Sequence, residues 1–162
     1  MRTRNQTTAK TRALVRGAII AAIYTALTLL FAPISYGEVQ IRIAESLTLL
    51  PVLLPEAVPA LAVGCLLANV LGGCTIFDIV FGTLATLLAA IGTYALRQKP
   101  LLAASCPVIS NGLIVGLMLS VVYSLPPVLT IIQVAVGEAL AVALGYGLMK
   151  AFKGRIDWKK FQ

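Results

Sequence analysis

The sequence has no histidine and few charged residues of either sign. Charged side chains make up 12% of its 162 residues, and only six residues are acidic. Histidine is the commonest general acid or base and a frequent metal ligand, and no cluster with metal-ligand spacing replaces it. The nucleotide-binding GxxxxGK[ST] loop and the paired-aspartate GxGD signature are also missing. These absences argue against an enzyme and against ATP hydrolysis by this chain, and we predict no cofactor.

Cysteine is scarce as well. Cys65, Cys74 and Cys106 are odd in number, lack CxxC spacing and fall in or beside apolar segments. We interpret them as small packing residues.

Apolar residues dominate the composition of the chain. They make up 59% of the chain before its 13 glycines are added, and soluble domains reach roughly 45–50% with glycine included. This composition excludes an ordinary soluble globule, and the length excludes a multidomain enzyme. We predict an all-α membrane protein.

The basic residues flank the apolar runs. Five of the 13 Lys and Arg residues precede the first run, five lie in the C-terminal tail, and Arg97 and Lys99 share one loop. By the positive-inside rule, both termini and this loop lie on the cytoplasmic side of the cell membrane. We therefore predict basic tails at 1–12 and 150–162 around a transmembrane domain at 13–149, with the lipid bilayer and not nucleic acid as the partner.

The number of crossings depends on the apolar stretch 43–71. A single crossing there would place Arg97 and Lys99 outside, against the positive-inside rule. A turn at Pro55 makes two crossings of this stretch and returns Arg97 and Lys99 to the cytoplasmic side. Proline suits such a turn, because it ends one helix and fits the start of the next. The six predicted crossings are 13–33, 44–54, 56–71, 76–96, 101–123 and 126–149.

The second and third crossings are short for a ~30 Å hydrocarbon core. Non-helical chain at membrane depth is tolerated where it lines a cavity. Residues 38–43 alternate polar and apolar as an extended strand does, although Glu38, Arg42 and Glu45 also have helical spacing. In either conformation, polar groups converge near the outer surface.

Polar residues within the membrane are the main candidates for a site. Glu138 lies midway along the sixth crossing, where the alternative is a structural contact with Asn111. Glu45 opens the second crossing, where it can instead compensate the helix dipole. Arg42 needs a partner, which can be Glu38, Glu45 or a ligand.

Several neutral residues complete the candidate set. Asn69 and Gln133 add hydrogen-bonding groups at matching depth. Tyr36 and Tyr123 lie at the predicted outer ends of the first and fifth crossings. There they either belong to an interfacial aromatic belt or stack on a planar ligand.

Two acidic residues have helix-cap spacing. Asp78 follows Thr75 by three residues, as in a capping box, and we interpret Glu56 as a helix cap too.

The first crossing carries small residues at four-residue intervals. Ala18, Ala22 and Ala26 form a face on which another helix can pack closely. Since the chain lacks a nucleotide-binding loop, this face suggests a partner protein.

Four segments together resemble the QueT family, most specifically between 36 and 86. They are YGEVQIRIAESLTLLP (36–51), LPEAVP (54–59), GCLLAN (64–69) and FDIVFGTLAT (77–86). The resemblance implies the substrate-binding S component of an energy-coupling factor (ECF) transporter. Such a component has six transmembrane helices, binds a micronutrient in its outer half, and docks through small residues of its first helix. Its partners are an EcfT-type membrane coupling protein and two cytoplasmic ATPases.

QueT-like members are linked to the salvage of queuosine precursors, which are 7-deazaguanine bases and derivatives. Glu45 or Glu138 can accept the N–H and NH₂ of a guanine-like edge, and the other can meet an aminomethyl arm. Gln40, Asn69, Gln133 or Arg42 can satisfy the ring carbonyl, and an aromatic side chain can cover the flat face. The alternatives are an S component for another vitamin, a small membrane enzyme or a helper protein.

Overall fold

The computed structural model of the chain describes residues 2–35 and 42–153, and every regular element in these residues is helical. The elements are α1 (Arg2–Leu30), α2 (Ala32–Ser35), a 3₁₀ helix (Ile43–Val52), α3 (Ala57–Leu71), a π-helical turn (Asp78–Gly82), α4 (Thr83–Ala95), α5 (Pro100–Tyr123) and α6 (Pro127–Lys153). The prediction of an all-α architecture is confirmed.

The surface of the bundle is apolar and much of its interior is polar. Leu14 and Val121 are 75% and 79% exposed, whereas Thr28 and Thr86 are completely buried. Within residues 2–35 and 42–153, four helices are long and apolar enough to cross a membrane: Thr8–Leu30, Asp78–Ala95, Pro100–Tyr123 and Pro127–Ala151. This distribution suits a lipid solvent, and the chain is a multi-pass membrane protein.

The predicted second crossing, 44–54, differs from the expected α-helix. The structure has a ten-residue 3₁₀ helix at Ile43–Val52, an uncommonly long run that rises about 20 Å at ~2.0 Å per residue. An α-helix of that length would rise about 15 Å. The tighter helix thus spans a greater distance with the same number of residues.

The 3₁₀ helix lies at the centre of the bundle and contacts α1, α3, α4, α5 and α6. Its backbone meets α6 at Gly145, where an added Cβ would lie 2.1 Å from the carbonyl oxygen of Ser46. Only a residue without a side chain allows this approach. The central position buries Glu45, Ser46 and Thr48.

The chain reverses around Pro55, as predicted. The Ala57 N–H donates to the Leu54 carbonyl across the turn. At the other end of the hairpin, Arg42 Nη1 lies 3.8 Å from Cys65 Sγ on α3. The 3₁₀ helix and α3 therefore run antiparallel.

The two predicted caps have different outcomes. Thr75 and Asp78 form the capping box: the Thr75 N–H donates to Asp78 Oδ2 at 3.2 Å, and the Asp78 N–H donates to Thr75 Oγ1 at 3.3 Å. Glu56 occupies the N-cap position of α3, as predicted, but its side chain makes no cap hydrogen bond. It forms an ion pair with Arg16 of α1 at 2.6 Å instead.

Candidate functional site

Glu45 joins three elements in the buried interior. Its side chain is 1% exposed. Its Oε1 accepts hydrogen bonds from the Tyr24 hydroxyl on α1 and from Thr86 Oγ1 on α4, the latter at 3.2 Å. Its Oε2 is buried and has no hydrogen-bond partner among the described residues. One oxygen of this carboxylate therefore joins helices, and the other keeps its hydrogen-bonding capacity unused.

Close packing of α1 on α3 fixes the position of Tyr24. A Cβ added at Gly64 would lie 2.9 Å from Tyr24 Cβ. One residue along α1, Thr25 Oγ1 donates to the Gly64 carbonyl at 3.1 Å. Because both the tyrosine and the helix that carries it are held in this way, the Tyr24 hydroxyl is a fixed donor to Glu45.

Glu138 approaches the same interior from α6. Its side chain is 5% exposed, and it interacts electrostatically with Glu45 and Arg42. Asn111 of α5 is its polar neighbour. In the described part of the chain, neither Asn111 Nδ2 nor Glu138 Oε1 completes a hydrogen bond. A structural contact with Asn111 therefore leaves hydrogen-bonding capacity of both side chains unused.

The third side of the interior lies where α3 meets the π-helical turn. Asn69 is completely buried, and its Nδ2 donates to the Asp78 carbonyl at 3.1 Å. A Cβ added at Gly82 would lie 3.0 Å from this nitrogen and 3.8 Å from Arg42 Nη1. The π turn thus brings a backbone without a side chain against both polar groups, and such turns are frequent at functional sites.

Four buried side-chain atoms around this interior have no hydrogen-bond partner among the described residues. They are Glu45 Oε2, Asn69 Oδ1, Asn111 Nδ2 and Glu138 Oε1. A buried polar atom without a partner costs about 1–3 kcal/mol, so four of them are a large burden for a small bundle. We call these four residues the polar cluster. Three of its unpaired atoms are acceptors and one is a donor, which suits a ligand rich in N–H groups.

The structure unites some of the residues that the sequence singles out and separates others. Gln133 is partly buried on α6, and Tyr123 is 52% exposed at the end of α5, outside the polar cluster. Tyr36, Glu38 and Gln40 lie outside the described residues. The predicted residues that meet in the interior are Arg42, Glu45, Asn69 and Glu138.

Tyr24 and Thr86 are not among the residues predicted from the sequence, and Asn111 is predicted there only as a structural partner of Glu138. Tyr24 carries a usable signal, because it lies in the middle of a predicted crossing, away from the interfaces where aromatic belts occur. Thr86 carries none, since nothing in its sequence surroundings distinguishes it from the other threonines of the apolar segments.

The alanine face of α1 lies on the opposite side of the helix from Tyr24. Ala18, Ala22 and Ala26 are exposed, while Ile20 and Tyr24 are buried. One helix thus contributes to the interior on one face and presents small residues outward on the other.

Comparison with known proteins adds independent findings. The family model described as "QueT transporter" matches residues 14–154. The chain is 36% identical over 80 residues to the queuosine precursor transporter QueT of Lactococcus lactis subsp. cremoris (strain MG1363). That match covers 48% of this chain and 47% of the relative, so the chain spans about half the length of the curated relative it matches. No solved structure matches significantly.

Proposed function

Because the chain belongs to the QueT transporter family, we propose that it binds queuosine precursors, 7-deazaguanine bases such as queuine or pre-queuosine, for uptake across the cell membrane. The family and the name of the Lactococcus relative identify a transporter and not an enzyme. The relative's name also supports this substrate class.

The observation that carries the proposal is the chemistry of the polar cluster. A guanine-like base offers an N–H and an adjacent NH₂ on one edge, with a carbonyl oxygen beside them. Glu45 Oε2, Asn69 Oδ1 and Glu138 Oε1 are unpaired acceptors, and Asn111 Nδ2 is an unpaired donor. A ligand with several N–H donors and one carbonyl acceptor satisfies this set better than a purely apolar one does.

The two glutamates have different roles in this proposal. Glu138 accepts the N–H and NH₂ of the guanine-like edge as a bidentate, charge-assisted pair. Glu45 uses one oxygen for Tyr24 and Thr86, so it offers a single acceptor, suited to an ammonium arm or one further N–H.

The remaining predicted residues have supporting roles in this proposal. Asn111 donates to the ring carbonyl, with Arg42, Gln40 and Gln133 as further donors. Asn69 already donates through Nδ2 to Asp78, so it acts as an acceptor. Tyr36 covers the flat face of the base. The exposure of Tyr123 supports a place in the interfacial belt instead.

We further propose that the chain is the S component of an ECF-type importer with six crossings and cytoplasmic termini. ATP hydrolysis belongs to two partner ATPases, and an EcfT-type coupling protein docks on Ala18, Ala22 and Ala26. The exposure of these alanines supports the docking face. Arg12 and Arg97 both lie near the Pro55 turn, so basic residues gather at one end of the bundle. This supports six crossings with that end on the cytoplasmic side.

Thermal unfolding of the detergent-purified chain tests the substrate class. A ligand at ~100 times its Kd stabilises the fold by ~2.7 kcal/mol. We expect queuine and the pre-queuosine bases to raise the melting temperature. Guanine has the same polar edge but no arm to meet Glu45, so it should raise the melting temperature less. Riboflavin, thiamine and biotin should leave it unchanged. Stabilisation by one of these vitamins alone would replace the substrate, and no stabilisation by any compound would contradict a binding role.

Co-purification with a coexpressed EcfT-type protein tests the docking face. Ala22→Leu should reduce recovery of the partner, because bulk at a small-residue contact separates the helices. Ala95→Leu, at an exposed alanine of α4, is the matched control and should retain the partner. Deazaguanine-dependent stabilisation should be unchanged in both variants.

A further inference from the structure

The end of the bundle near the Pro55 turn holds a pocket that the proposed substrate site does not use. Its volume is about 540 Å³, and α1, the Pro55 turn and the end of α4 form its walls. The charged residues on the wall are Arg12, Arg16, Glu56 and Arg97. Three arginines face one glutamate, so the pocket has a net positive charge.

The arginines are held in different ways. Arg16 is paired with Glu56 at 2.6 Å, which neutralises one of the three positive charges. The Arg97 guanidinium lies over the Tyr94 ring, 4.3 Å from its centroid, and Nη1 donates to the Tyr94 carbonyl at 3.2 Å. Stacking orients this guanidinium and leaves its remaining N–H groups as donors. Arg12 and Arg97 therefore give the pocket its excess charge.

An apolar groove of about 520 Å³ continues from this pocket along α1 and α3. The pocket and the groove share Ala13 and Glu56. Apart from these two residues and Lys10, the groove wall is apolar, and it includes Leu14, Gly17, Ala18, Pro59 and Val63. The positively charged pocket thus opens into an apolar groove on the outer surface of the bundle.

We propose that the pocket and the groove together bind one anionic phospholipid. Its phosphate lies between Arg12 and Arg97, and an acyl chain lies in the groove. Guanidinium groups match phosphate oxygens geometrically, and basic pockets between transmembrane helices bind anionic headgroups. Inorganic phosphate would use the pocket but not the groove, and a neutral apolar molecule would use the groove but not the pocket. Since Ala18 lies on the groove, the bound lipid also borders the alanine face of α1.

Native mass spectrometry of the detergent-purified full chain, mixed with phosphatidylglycerol or phosphatidylcholine, tests this site. The wild type should retain one phosphatidylglycerol in preference to phosphatidylcholine. The double variant Arg12→Gln/Arg97→Gln should bind phosphatidylglycerol about 30-fold more weakly, from about 1 kcal/mol per basic residue and tenfold per 1.4 kcal/mol. Each single variant should lose about fivefold on the same basis.

A matched control removes two positive charges that lie outside the pocket. Lys99→Gln/Lys150→Gln should bind phosphatidylglycerol within about twofold of the wild type, since exposed charges away from a ligand contribute little. Equal loss in the two double variants would attribute binding to net charge and overturn the site. Equal retention of the two lipids by the wild type would also overturn it.

The groove is tested separately from the charge. Ala13→Leu adds bulk where pocket and groove meet, so it should weaken retention of phosphatidylglycerol without changing net charge. Millimolar inorganic phosphate should not displace the lipid from the wild type. Displacement by phosphate, together with an unaffected Ala13→Leu variant, would identify a free-anion site and contradict the lipid proposal.

Discussion

Glu45 and Glu138 occupy the same polar interior, but the protein holds them differently. Glu45 lies on the central 3₁₀ helix, and one of its oxygens accepts hydrogen bonds from α1 and α4. Glu138 lies on α6, and its Oε1 has no partner in the described part of the chain. A buried carboxylate is expensive unless its oxygens are satisfied. Each glutamate keeps one buried oxygen without a partner among the described residues. Glu45 is held by side chains of two other helices, whereas Asn111 is the hydrogen-bonding neighbour of Glu138. Because fewer contacts hold Glu138, we expect a ligand to engage it with less disruption of the bundle.

The difference follows from the helix on which each glutamate lies and from the neighbours of that helix. The 3₁₀ helix contacts five other helices, so a polar side chain on it finds neighbours such as Tyr24 and Thr86. Glu138 projects from α6 toward α5 and the 3₁₀ helix, where Asn111, Glu45 and Arg42 are its polar or charged neighbours. The comparison predicts that neutralising Glu138 affects ligand binding more than neutralising Glu45.

Glu138→Gln should have the largest effect on binding. Glutamine keeps the size of the side chain but replaces one acceptor oxygen with a donor that opposes the N–H groups of the base. We expect the Kd for a deazaguanine to rise about 100-fold, since two charge-assisted hydrogen bonds are affected. Equilibrium binding of radiolabelled queuine to the purified chain measures the change. An unchanged Kd would remove Glu138 from the site.

Gly145→Ala should disturb the seat of the 3₁₀ helix, and with it the relation between the two glutamates. The added Cβ would lie 2.1 Å from the Ser46 carbonyl, so the backbones must separate. We expect the free energy of unfolding to fall by about 2 kcal/mol, as for other overpacked contacts, measured by thermal unfolding in detergent. Gly147→Ala is the matched control, because nothing lies within 4 Å of its added Cβ. Equal melting temperatures for the two variants would contradict the close contact.

Glu45→Gln should weaken binding by about tenfold, less than the change at Glu138. The glutamine oxygen can still accept from Tyr24 and Thr86, so the helices stay joined while the charge is lost. The same binding assay measures this effect. A larger loss than in Glu138→Gln would reverse the assignment of the two roles.

Tyr24→Phe should have the smallest effect on binding and a modest one on stability. Removing the hydroxyl deletes one hydrogen bond to Glu45, and we expect the free energy of unfolding to fall by about 1 kcal/mol. Since the free oxygen of Glu45 is unaffected, the Kd should change less than about threefold. Thermal unfolding with and without ligand measures both quantities. A loss of binding as large as that of Glu138→Gln would make Tyr24 a ligand contact.

The sequence predicts the helical segments well, because their signals are local. Apolar runs define the long helices, Pro55 marks the reversal, and the spacing of Thr75 and Asp78 identifies a capping box that the structure contains. The candidate site is predicted in part for the same reason. A glutamate within an apolar run is conspicuous, as Glu45 and Glu138 are.

The remaining features depend on tertiary contacts that the sequence does not reveal. The 3₁₀ geometry of Ile43–Val52 accompanies the approach of its backbone to Gly145. Glu56 has the position of a cap, but Arg16 lies close enough to pair with it instead. Thr86 becomes a site residue only because α4 packs beside the 3₁₀ helix. In each case packing between helices decides the role of the residue.

The most direct test of the account is the affinity of the wild type and of Glu138→Gln for two ligands that differ in a single amino group. One is a 7-deazaguanine, and the other is the same base without its exocyclic NH₂. If Glu138 accepts this group, its removal should cost the wild type about tenfold in Kd and cost Glu138→Gln much less. An equal cost in both proteins would show that the amino group is recognised elsewhere and would contradict the proposed site.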